Sequence, residues 1–173
     1  MGRGHSQMKG VNEGTKADRR IEYVYMNPQS GTDTVNDLLQ VLEDGKQGFR
    51  KAAEAVQDPN LKVLFSEYAN ERAQMAEELL AFTPAQREEK KPTVAGTVHQ
   101  GWIDLKAALT SGDDHAILAE CERGEDHAVE AFKNVLVRDL PADICQTLKS
   151  QSVRVLEAHN EIRELRDAAD VAS

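Results

Sequence analysis

Glu71 and Glu125 stand where helical spacing asks for apolar side chains. In "AECERGEDHAVEAF", residues 119–132, the apolar face runs through Ile117, Cys121, Ala128, Phe132 and Val135, and the step from Cys121 to Ala128 falls on Glu125. In an earlier stretch the step from Tyr68 to Met75 passes through position 71 or 72, occupied by Glu71 and Arg72. A lone carboxylate in a core is costly unless it is paired, protonated or metal-bound. Two of them close together raise one another's pKa. A divalent cation removes both problems. Asp44 lies near the midpoint of another helical stretch, with Gln151 and His159 in the last one. Carboxylates with one or two histidines on facing helices suit an iron or manganese pair. The competing reading is structural: Arg72, Arg123 or a hydroxyl satisfies the two glutamates.

Other chemistries find little support. Ser66, Ser150 and Ser152 have no His or Asp partner at a usable spacing. Gly45 and Gly48 sit inside a helical pattern, without the strand-loop-helix setting of a phosphate loop. They imply a close helix approach or a large neighbour such as Trp102 or Tyr68. His127 and His115 read as surface residues. His99 and Trp102, one turn apart, read as a packing anchor across the bundle mouth, with a small-ligand site as the alternative.

The elements that must position these residues are helices. Val35, Leu38, Leu42, Gly45, Phe49, Ala52 and Val56 form one helical face, with Asp33 or Thr34 as the cap. "DPN" ends that helix and starts the next, with Asp58 as cap and Pro59 at the first position. The second helix runs to about 82, and residues 83–96 form a crossover loop. Val98, Trp102, Leu105 and Leu109 mark a short lead-in helix, and Asp113 or Asp114 recaps the chain after "SGDD". The third long helix reaches about 138, and the last runs from "DLPAD" to about 167. Each amphipathic stripe must bury itself against the others, so the expected fold is all-α, an up-down four-helix bundle. The domain layout is an N-terminal tail over 1–31, a bundle over 32–168 and a short tail over 169–173. "IEYVYM" at 21–26 is the one β-prone stretch, a candidate for docking or oligomerisation.

With 173 residues and a net charge of -9, the chain suits one domain without a nucleic-acid or membrane-surface partner. No apolar run approaches a membrane span and no secretion signal is visible. Cys121 and Cys145 lack metal-type spacing and read as reduced core thiols, which places the protein in the cytoplasm.

"DLLQVLEDGKQGFRKAAE", "FSEYANERAQMAEEL", "HQGWIDLK" and "ERGEDHAVEAF" together resemble the ferritin-like superfamily. Over residues 34–167 the chain is most similar to small bacterial ferritin-like bundles without a settled function. Rubrerythrin-type members carry six metal ligands, including E-x-x-H pairs. The resemblance places Glu71 on the Glu of one such pair, with Gln74 in the seat of its His. It places Glu125 on the third-helix Glu and His159 on the second His, with Leu156 in the seat of that histidine's Glu partner. Asp44 is the nearest acid on the first helix. Four of six ligands remain, and a leucine cannot ligate. Two function classes follow: a non-enzymatic binding or stress-type protein, acting as a homo-oligomer with a dimer favoured, or an iron or manganese carboxylate protein with ferroxidase- or peroxide-linked chemistry.

Overall fold

The computed structural model describes residues 28–82 and 105–172, and its regular structure among those residues is entirely helical. Among the described residues there are five helices: α1 (Pro28–Ala55), α2 (Pro59–Leu80), α3 (Leu105–Ser111), α4 (Asp114–Leu136) and α5 (Ala142–Ala172). His99, Trp102, the 21–26 stretch and the 83–96 crossover lie outside the described residues.

Local chemistry sets most of the boundaries. The Asp58 carboxylate accepts the Asn60 N–H at 2.7 Å, and Pro59 follows as the first helical residue. Asp113 caps α4 by accepting the His115 N–H at 3.0 Å. Gly112 supplies the left-handed turn between α3 and α4, with φ of 67°. Two ends differ from expectation. Helix α1 begins at Pro28, so Asp33 and Thr34 lie inside it rather than capping it. Proline suits a first position because its missing N–H would be unpaired there in any case. Helix α5 continues to Ala172, through the segment expected to be a tail, a continuation that the three alanines of "AADVA" permit.

α1 packs most extensively on α2, and α4 on α5. α1 also lies along α4, whereas α2 and α5 approach one another far less closely; α3 rests on α4 and α1. The two turns at one end are tied together. The backbone N–H groups of Gln57 and Asp58 donate to the two oxygens of the Asp114 carboxylate at 2.8 and 2.9 Å, and the Gln57 side chain donates to the Gly112 carbonyl at 2.8 Å. One carboxylate thereby fixes the α1–α2 turn to the start of α4.

The apolar interior divides in two. One cluster centres on Phe49, Phe65, Ile117, Cys121 and Ile162. The other centres on Leu38, Leu42, Met75, Phe132, Leu148 and Val155. In sequence, Arg72 and Glu125 fall between the residues that α2 and α4 give to the two clusters.

Candidate functional site

Arg72 and Glu125 are both buried to 1% exposure. The Arg72 Nη2 donates to Glu125 Oε2 at 2.5 Å, and its Nη1 donates to Glu71 Oε2 at 3.0 Å. The two glutamates singled out by sequence therefore share a guanidinium. The carboxylate-to-carboxylate meeting expected in the central layer is replaced by an arginine bridge. Of positions 71 and 72, the fully inward one is Arg72, while Glu71 is 26% exposed. A guanidinium offers its donors in a rigid fork, which lets one cation serve two acceptors on different helices.

Two further contacts hold the arginine. Its Cζ lies 5.7 Å from the Phe49 ring centroid, within cation–π range. Its aliphatic stem runs past Gly45, where a Cβ would meet Arg72 Cγ at 3.5 Å and Cδ at 3.6 Å. The large neighbour found at Gly45 is thus Arg72 rather than Tyr68, and Trp102 lies outside the described residues. Those distances are ordinary contacts. Gly45→Ala is therefore tolerated sterically and gains helix propensity, raising stability by up to about 1 kcal/mol. Gly45→Leu pushes further atoms into the Arg72 stem and lowers it. A denaturant titration of the two variants gives opposite shifts in midpoint.

The network continues from the core toward solvent. Glu71 Oε1 accepts from Arg154 Nε at 2.8 Å, and Arg154 Nη1 lies 3.7 Å from Glu78 Oε1. Gln151, with 0% exposure, donates to the Met75 carbonyl at 3.0 Å and to Glu78 Oε2 at 2.9 Å. Tyr68 donates to Glu161 Oε2 at 2.6 Å.

Electrostatics follow from this placement. Burial pushes the Glu125 carboxyl above its ordinary value; Arg72 and His159 oppose that rise and Glu71 adds to it. Burial, with the Glu125 charge added, pushes the Cys121 thiol well up. Burial and the hydrogen bond to Glu161 raise the Tyr68 phenol. These directions describe inert groups: a protonated thiol and phenol are poor nucleophiles.

The remaining sequence candidates make hydrogen bonds to groups other than the two glutamates. His159 Nε2 meets Asp126 Oδ1 at 2.8 Å, and Asp126 is 65% exposed. Asp44 accepts from Gln40 at 2.8 Å. Gln74 is exposed and donates to Glu78 at 3.2 Å. Leu156, in the seat of the missing glutamate, is 46% exposed. Among the described residues no group of three or more His, Cys, Asp or Glu side chains is arranged to hold a metal ion. Of the four expected ligands, Glu71 and Glu125 are joined through Arg72, while His159 is hydrogen-bonded to Asp126 and Asp44 to Gln40. Cys121 is buried, Cys145 half-buried, and both are free thiols. His127 is exposed, as expected, and His115 is half-buried.

The sequence offered Arg72, Arg123 or a hydroxyl as the group that satisfies the two glutamates, and the structure selects Arg72. The signal that points to it is the pairing of Gly45 in α1 with a long side chain one helix away. No described helix is long and apolar enough to cross a membrane. Residues 31–138 match the family described as a domain of unknown function, DUF2383. No curated protein matches the chain.

Proposed function

The chain belongs to the DUF2383 family, a domain of unknown function, and from that premise we propose that it is a non-enzymatic, ferritin-like binding protein with a stress-type role. Its four long helices form an up-down bundle, with α3 as the lead-in to α4. The observation that carries this reading is the Arg72 guanidinium held between Glu71 and Glu125. It supplies, from the chain itself, the central positive charge that the resemblance assigns to metal ions. Glu125 accepts from Arg72 in the place of an exchangeable cation, and Arg72 is held by Phe49 and Glu71 as well.

Metal analysis tests this directly. Protein from cells grown with added iron or manganese should carry far less than one metal ion per chain. Stoichiometric metal that disappears in Glu125→Ala overturns the reading in favour of a carboxylate metalloprotein. The proposed working unit is a cytoplasmic homodimer. On a sizing column the full chain should elute as a dimer and a chain lacking residues 1–31 as a monomer; equal apparent masses remove the tail from that role.

A further inference from the structure

Helix α5 contributes to both apolar clusters. Ile162 lies in one with Phe65 and Ala69 of α2, and Leu148 and Val155 lie in the other with Met75 and Leu79. Burial of this kind holds the helix in place but is non-directional. Leu148, Val155 and Ile162 repeat every seven residues, a step that does not match a whole number of helical turns. Two sets of residues can therefore complete an inward face. One is Gln151, Ala158 and Leu165, at i+3; the other is Ser152, His159 and Arg166, at i+4. The structure turns the first set inward: Gln151 and Ala158 are buried, and Leu165 is partly buried against the core. Leu156 is exposed, one turn from both Ser152 and His159, on the side that the second set would bring in. The two faces thus differ little in apolar content, with Ala158 and Leu165 in one and Leu156 in the other.

What separates the two faces is polar. Gln151 donates to the Met75 carbonyl and to Glu78, Arg154 donates to Glu71, and Glu161 accepts from Tyr68. All of these bonds end on α2. Positions 151, 154 and 161 are spaced by three and seven, so they leave from one flank of α5. We propose that Gln151, Arg154 and Glu161 select the face that α5 turns into the bundle, through hydrogen bonds that only one rotation of the helix permits. Turning α5 by one residue position, about 100°, carries all three away from α2. It also brings Ser152 and His159 inward and parts His159 from Asp126, its present partner. Partly exposed polar pairs add little to overall stability. Where two packings bury similar apolar surface, however, a small directional preference decides which one is populated. Patterning and volume are enough to fold a core; a single well-ordered packing needs more.

Amide and methyl NMR spectra of the full chain test this. The parent should give one set of cross-peaks for α5. The triple variant Gln151→Ala, Arg154→Met, Glu161→Ala should give a second set for α5, at about a tenth or more of the total intensity. In that second set the Leu156 methyls should show contacts to buried side chains. Arg154→Met alone, which removes one partly exposed bridge and keeps an apolar stem, guards against a triple variant that fails to fold. It should give the same second set at lower intensity. Leu156→Lys removes the apolar side chain that the other face would bury. Added to either variant it should restore a single set, and in the parent it should leave the spectrum of α5 single. One set of α5 cross-peaks in every folded variant overturns the proposal. So does a second set that Leu156→Lys leaves in place, since the doubling would then come from something other than the competing face.

Discussion

Arg72→Met lowers folding stability by about 3–5 kcal/mol at pH 7, the cost of removing one partner from a buried ion pair. Loss of the guanidinium strips Glu125, which is 1% exposed, of its ion-pair partner. Burial and the Glu71 charge then act in the same direction on Glu125, opposed by His159 alone among the groups that shift it. Arg72→Met with Glu125→Leu removes both buried charges and fills the space with apolar atoms. That double variant recovers most of the loss and is as stable as the parent or more so, since exchanging a whole buried pair for apolar residues is often neutral or favourable. Glu71 stays satisfied in both, because Arg154 still donates to it. Chemical denaturation of the parent, both single variants and the double measures the coupling directly. Two single losses that simply add would show that the pair is not coupled.

The pH dependence has a definite sign. Burial raises the folded-state pKa of Glu125 above the ordinary 4.5. A raised carboxyl contributes stability when protonated and loses it as pH rises through the folded-state pKa. Arg72 holds that rise down in the parent. In Arg72→Met the restraint is gone, so the stability deficit against the parent is widest near pH 8. It narrows as pH falls through the folded-state pKa of Glu125 toward 4.5. In the double variant, which has no Glu125 to titrate, this narrowing is absent. Thermal melts of the three proteins across pH 5 to 8 provide the check.

Phe49→Ala costs about 3–5 kcal/mol, as expected for deleting a fully buried aromatic. Its ring lies 5.9 Å from Phe65 and 5.3 Å from Tyr68, centroid to centroid, and forms the aromatic face under Arg72. The loss thus combines a cavity with a weakened seat for the buried cation. Phe49→Leu separates the two contributions. It keeps most of the volume and costs about 1–2 kcal/mol, part of it the cation–π contact. Phe132→Leu, in the other apolar cluster, serves as comparison. If the Arg72 contact matters, the gap between Phe49→Leu and Phe132→Leu closes when both are made on the Arg72→Met, Glu125→Leu background.

Much of the scaffold was legible because its signals are local. Asp58 with Pro59, and Asp113 after Gly112, are start signals whose hydrogen bonds reach only two residues along the chain. The apolar steps through Leu38, Leu42 and Phe49, and through Ile117, Cys121 and Phe132, name buried residues because a helix turns at a fixed rate. Glu125 was legible for the same reason, as a charge in phase with an apolar face. The ends of α1 and α5 were less so. Pro28 and "AADVA" permit helix without demanding it, and packing beyond the local stretch decides how far each continues.

What the sequence determined by itself is a set of amphipathic helices with a carboxylate in the apolar face of one of them. Only the tertiary structure decided which charge answers it. Positions 71 and 72 both satisfy a seven-residue step, one at i+3 and one at i+4, so helical phase alone cannot choose between them. The choice rests on what stands opposite: Gly45 leaves room for a long stem, Phe49 offers an aromatic face, and Glu125 lies in reach of the guanidinium. His159 and Leu156 were placed by the same kind of contingency. The way α5 sits on α4 sets one beside Asp126 and leaves the other in solvent. That placement depends on how side chains of different helices pack, which spacing along one chain does not record.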